Sequence, residues 1–174
     1  MTKRTILTEP DSILRKKCTP VEKVDKDLKK LMNDMLETMY EAPGIGLAAI
    51  QIGVLKRVVV IDLLKEDGKK NPLFLVNPEI IYRSQKTSIY EEGCLSLPGQ
   101  YAEIERPAAC HVKYIDFNGS LKEIKAEGLL STCIQHEVDH LDGILFIDYL
   151  SKLKKTMIIK KLSKQKESIE RIVV

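Results

Sequence analysis

His136 and His140 stand four residues apart in Gln135-His136-Glu137-Val138-Asp139-His140, inside a stretch whose apolar residues Leu129, Leu130, Cys133, Ile134 and Leu141 recur at helical spacing. Residues four apart lie on one face of a helix about one turn from each other. Both imidazoles can therefore converge on one cation while Glu137 reaches its bound water. A metal held this way needs a further ligand from another element packed against the helix. The plainer reading is a solvated helix face that carries two histidines and two acids. It is weakened by the histidine count, since the chain has three and two of them take this spacing.

The third ligand decides the class. In the pattern H-E-x-x-H-x-x-G-x-x-H, Gly143 fits but the last position is Phe146, so a third histidine is excluded. The acids downstream of the motif within the tail are Glu167 and Glu170, which lie beside several lysines and make poor ligands. Cys133 precedes His136 by three residues, but its short side chain tilts toward the helix N-terminus and away from a cation between the histidines. It reads as a pocket-lining residue. Cys94 sits in Glu92-Gly93-Cys94-Leu95-Ser96, where glycine permits close backbone approach, and is the better ligand. Cys18, after a lysine pair, and Cys110, alternating with Val112 and Tyr114, read as structural; His111, beside Lys113, reads as an exposed strand residue.

The rest of the chain predicts an α+β fold, with antiparallel strands around a central metal-binding helix and a further helix toward each end. Leu28, Leu31, Met32, Met35, Met39 and Tyr40 form an amphipathic helix capped by Asp25 and limited by Pro43. Gly44 to Gln51 reads as a loop. Arg57–Leu64, Leu73–Val76 and Glu79–Tyr82 read as strands broken at Asp67-Gly68 and Asn77-Pro78. Ala109–Asp116 and Ser120–Ala126 flank Asn118-Gly119 and predict a hairpin. A last helix begins near Ser151, with Leu153, Met157, Ile158, Leu162 and Ile169 on its packed side.

A length of 174 residues with 44% hydrophobic and 30% charged composition suits one folded domain over 1–174 rather than a disordered or multi-domain chain. No apolar run approaches the roughly 20 residues of a membrane span, and no apolar run follows Lys3-Arg4, so the expected compartment is the cytoplasm. Four cysteines without dense spacing read as reduced thiols. Residues 152–171 carry eight Lys/Arg against two Glu, a net +6, which leaves −3 on the remainder of a chain whose total is +3. A polyanionic partner would meet that basic helix, within about 151–174.

Gly44-Ile45-Gly46-Leu47-Ala48-Ala49-Ile50-Gln51, Glu92-Gly93-Cys94-Leu95-Ser96 and Gln135-His136-Glu137-Val138-Asp139-His140 resemble, in order, the three signature motifs of peptide deformylases. The helix before the first motif and the basic helix after the last resemble those of the shorter, bacterial-type members. The resemblance implies hydrolysis of the formyl group from N-formylmethionyl nascent peptides with release of formate. It implies one divalent metal ion on Cys94, His136 and His140, natively Fe(II), with Zn(II), Ni(II) or Co(II) able to take its place. It assigns oxyanion donation to the Gln51 side chain and the Leu95 backbone N–H, and substrate binding to Ile45, Gly46 and Gly93. Leu129 and Cys133 suit the methionine pocket, and suit a plain core equally. Two positions depart from the family: Gln100-Tyr101 stands where many bacterial members have arginine nearby, and Tyr90 stands where an aliphatic residue is common.

The chemistry stands beside the name. A dication with three protein ligands and an open position lowers the pKa of bound water from about 15.7 to about 7, and Glu137 can take that proton and pass it to the departing amine. Two readings compete. A cysteine-nucleophile amidohydrolase would use Cys94 with a histidine base, leaving Glu137 and the second histidine without roles. A metal-stabilised RNA-binding or ribosome-binding module is suggested by the basic tail, but aromatics are 5% of the chain and the body is acidic. Gly44 to Ala49 also matches G-x-G-x-x-A, yet it follows a helix and Pro43 rather than a strand, so no nucleotide cofactor is expected.

Overall fold

The computed structural model describes residues 2–63 and 67–172. The chain runs α1 (Lys26–Glu41), β1 (Gly46–Ala48), β2 (Val58–Ile61), β3 (Leu73–Arg83), β4 (Thr87–Cys94), β5 (Leu97–Pro107), β6 (Ala109–Ile115), β7 (Leu121–Glu127), α2 (Gly128–Leu141) and α3 (Lys152–Ile172). Strand β2 explains the layering. Its Val58-Val59-Val60-Ile61 lacks polar alternation, which suits a strand covered on both faces. Val58 and Val60 cluster with Leu28, Met32, Met35 and Met39 of α1, while Val59 and Ile61 cluster with Ile134, Val138 and Leu141 of α2. The sheet is thus sandwiched between the two helices. Met35 is fully buried, and its truncation to alanine would cost about 2–5 kcal/mol.

The five-stranded sheet has the order β1-β2-β3-β6-β7, antiparallel throughout, and β4 and β5 form a separate antiparallel ribbon. The α+β arrangement around a central helix follows the expectation. Asp25 caps α1 by accepting from the Leu28 N–H at 2.9 Å, and the β6–β7 hairpin turns through Asn118-Gly119, with Gly119 at φ 88.

Several local expectations need correction. The glycine-rich loop contains β1, because its backbone pairs with the edge of β2, Leu47 opposite Val60. The strand expected over Arg57–Leu64 is limited to Val58–Ile61, and Leu64 lies outside the described residues. Asn77-Pro78 does not end a strand: β3 runs through it with a register shift, Asn77 adopts φ 50, and its amide exchanges two 2.8 Å bonds with the Val21 backbone. The bulge absorbs the proline that lacks an N–H. His111 is half-buried rather than exposed, its ring 4.6 Å from that of Tyr82. On α3, Leu162 is buried and Ile158 packs beside it, but Leu153, Met157 and Ile169 face solvent at 71, 61 and 64% exposure.

Candidate metal centre and active site

Helix α2 lies between the sheet and the β4–β5 ribbon, so Ser131 to Val138 are all buried. Polar residues on such a helix need partners. Gln135 donates to Ser131 Oγ at 2.9 Å and to the Pro107 carbonyl at 2.9 Å. His136 and His140 find theirs across the ribbon. A register shift between Gly93 and Cys94 at the end of β4 marks a bulge next to the site, a device that re-aims a side chain. Cys94 Sγ lies 3.3 Å from His140 Nε2, and the ligand-type atoms of Cys94, His136 and His140 all fall within 4.8 Å of one another.

Glu92 accepts from His136 Nδ1 at 2.8 Å, which leaves Nε2 of that ring free to face the cluster. The Glu92 carboxylate is gripped by Arg106 at 2.5 and 3.1 Å, and Arg106 also reaches Asp139 at 2.8 Å with the Tyr149 ring beneath its guanidinium. Burial opposes the Glu92 charge, but the bonds from His136 and Arg106 outweigh it and hold the carboxyl below its usual range. Burial likewise disfavours a charged His136, where the bonds to Cys94 and Glu92 win and raise the pKa; at His140, burial and then the His136 charge depress it. A cation at these atoms competes with a proton on His136.

Glu137 points to the other side of the cluster. A Cβ on Gly46 would run into its carboxylate, 2.9 Å from Cδ, so only glycine lets β1 pass this close. Burial is the main reason the Glu137 carboxyl is pushed up to about 7. Gln51, 1% exposed, accepts from the Ala48 N–H at 2.9 Å and turns Nε2 toward Ser96 Oγ at 3.0 Å and Cys94 Sγ at 3.5 Å.

A cavity of about 440 Å³ opens over these groups. It brings together Gln51, Leu95, Glu137, Cys94 and His136 with Ile45, Gly46, Gly93, Leu129 and Cys133, while His140 sits beneath at 1% exposure. Leu129 and Ile45 are 44 and 39% exposed, at the mouth. Burial, with Glu137 beside it, pushes the Cys133 thiol well up, so it lines the cavity as a neutral group. The Tyr101 ring covers Gly93, where an added Cβ would stand 2.6 Å from Cε1.

The polypeptide deformylase family model matches residues 3–156. The chain belongs to the polypeptide deformylase family. It is 60% identical over 174 residues to a peptide deformylase of Pelagibacter ubique, covering 100% of both. The fold superposes with TM-score 0.90 on a peptide deformylase from Ehrlichia chaffeensis in complex with actinonin, 43% identical over 95% of this chain and 98% of that one. It superposes with TM-score 0.80 on a Met-Ala-Ser-bound class I type b peptide deformylase from Acinetobacter baumannii, 34% identical over 86 and 99% of the two chains.

Deformylases are metal-dependent hydrolases, and the donor set here suits a borderline dication: one thiolate and two imidazoles. Glu137 Oε2 and His140 Nδ1 are buried without a hydrogen-bond partner among the described residues. Sequence reasoning missed Glu92 and Arg106 as supports. Glu92 carried a signal, since residues two apart on a strand share a face and Glu92 precedes Cys94 by two. Arg106 carried none, because only the β4–β5 pairing puts it beside Glu92.

Proposed function

We propose that the chain hydrolyses the formyl group from N-formylmethionyl peptides using a divalent metal ion, natively Fe(II), on Cys94, His136 and His140. The observation that carries this reading is the convergence of those three side chains beside the buried Glu137 carboxyl, which burial pushes up to about 7. When bound, the cation supplies a Lewis acid and lowers the pKa of coordinated water from about 15.7 to about 7. Glu137 takes a proton from the attacking water and returns it to the amine nitrogen as the formyl C–N bond breaks. The Gln51 amide and the Leu95 backbone N–H donate to the carbonyl oxygen as it gains charge. Ile45, Gly46 and Gly93 hold the extended peptide, and Leu129 and Cys133 wall the pocket for the methionine side chain. The product-like tripeptide on the Acinetobacter relative supports a peptide lying in this cavity.

The test is anaerobic purification with metal analysis, coupled to formate release from formyl-Met-Ala-Ser. Stoichiometric iron and chelator-sensitive turnover restored by metal support the reading. Turnover that survives the chelator favours a Cys94 thiol nucleophile instead. No described helix is long and apolar enough to cross a membrane.

Helix α3 extends the reading to the ribosome, where formylated chains emerge. Lys154, Lys160, Lys161 and Lys164 are exposed, whereas Lys155 is paired with Asp148 at 2.5 Å. Contacts from such lysines to phosphate weaken with salt through counterion release. Replacing three of the exposed lysines with glutamine weakens ribosome cosedimentation at low salt; indifference to the change reduces α3 to a surface helix.

A further inference from the structure

Thr132 is 4% exposed and lines the cavity, yet its Oγ1 has no hydrogen-bond partner among the described residues. Ser131 and Gln135, on the same helix, bond each other. Tyr90 lines the same cavity from β4, and its hydroxyl oxygen stands 3.7 Å from where a Cβ on Gly128 would be. Gly128 and Thr132 are four residues apart and share a face of α2, so the two hydroxyls belong to one end of the cavity. Thr132 lies one turn, about 6 Å, along the helix from His136. A methionine sulfur is three bonds beyond its α-carbon, so a side chain entering beside the metal cluster brings its sulfur toward these hydroxyls.

A thioether is a weak acceptor and gives little to a buried donor, whereas a donor left unmet is costly. Oxidation of methionine to the sulfoxide adds a strong acceptor oxygen and makes the side chain polar. An all-apolar pocket would reject it. We infer that the Thr132 and Tyr90 hydroxyls let this pocket accept an oxidised first residue, so that N-formylmethionine sulfoxide peptides are deformylated along with N-formylmethionyl ones. The inference rests on the deformylase reading above. The bond change is the same hydrolysis: water adds across the formyl C–N bond, formate leaves with its oxygen, the amine keeps a proton, and the sulfoxide is neither reduced nor consumed.

The experiment compares kcat/KM of the metal-loaded full chain on formyl-Met-Ala-Ser, its methionine sulfoxide counterpart and a formyl-norleucyl counterpart. The expected sulfoxide value lies within about twentyfold of the thioether value, and Thr132→Val lowers the sulfoxide-to-norleucine ratio about tenfold, the scale of one lost hydrogen bond to a buried polar group. Thr132→Ser, which keeps the hydroxyl, restores the ratio, and Tyr90→Phe lowers it. A sulfoxide peptide slower than the twentyfold limit, or a ratio that Thr132→Val does not move, overturns the inference. Failure on formyl-Met-Ala-Ser itself would instead bring down the deformylase reading.

Discussion

Glu92 Oε2 lies 2.8 Å from His136 Nδ1. A carboxylate at that distance fixes the ring's orientation and its tautomer, and it makes the opposite nitrogen a better ligand. Arg106, 4% exposed, balances the charge of a glutamate that is itself 6% exposed. The three residues form a chain from ribbon to helix that holds the cluster in register.

Glu92→Gln should therefore weaken metal binding about 10- to 100-fold while the fold persists, because the amide keeps the shape but loses the charge. Competition against a chelator of known affinity measures this directly. Equal affinity in variant and parent would remove Glu92 from the metal site's support.

Cys94→Ala, His136→Ala and His140→Ala should each lose metal. Metal content after gel filtration is the readout. A Cys94→Ala protein that retained stoichiometric, equally tight metal would sink the ligand assignment.

Glu137→Gln should keep fold and metal yet lose roughly 10²–10⁴ in turnover, since the amide bonds to water but cannot take its proton. Near-normal formate release from the metal-loaded variant would rule out the acid–base role.

Gly46→Ala adds a methyl group 3.0 Å from Cys133 Sγ and against the Glu137 carboxylate, which must move aside. Because a misplacement of about 1 Å can cost on the order of 10² in rate, kcat should fall while metal content stays whole. Unchanged kcat would mean that the Glu137 position is not critical.

Asp34 ties the N-terminal segment to α1: it accepts from the Thr2 N–H at 2.7 Å and pairs with Arg4 at 3.1 Å. The Thr2 bond is the main influence that lowers its pKa below 3.8. A carboxyl depressed on folding stabilises the protein above its unfolded pKa, and that contribution fades as pH falls from about 3.8 through the lower folded value. Thermal unfolding of Asp34→Asn should show a lower midpoint at neutral pH and a smaller gap from the parent below pH 3.8. A gap that is constant with pH would contradict the linkage.

The metal helix, α1 and the β6–β7 hairpin were legible because each is encoded locally, by apolar spacing, a capping aspartate or an Asn-Gly turn. His136, Glu137 and His140 were legible for the same reason: helical geometry converts a four-residue spacing into one face. Cys94 followed from what a metal needs and from its glycine neighbour. Gln51 and Leu95 came through the family motifs alone, and the structure shows why, since Gln51 reaches Cys94 only through the fold of the β1 turn.

What only the tertiary structure decided was which side chains stand behind Cys94, His136 and His140 and which face the cavity. Arg106 meets Glu92 because β5 pairs with β4 in one register, with Glu92 opposite Ala102 and Ser88 opposite Arg106. Thr132 Oγ1 lines the cavity and has no hydrogen-bond partner among the described residues, and Leu153 and Met157 stay in solvent because α3 docks through Ile158 and Leu162. Each outcome depends on contacts between residues far apart in the chain. Local sequence determines periodicity and conformational preference, but the burial and pairing of a polar group are set by whatever element the fold lays against it.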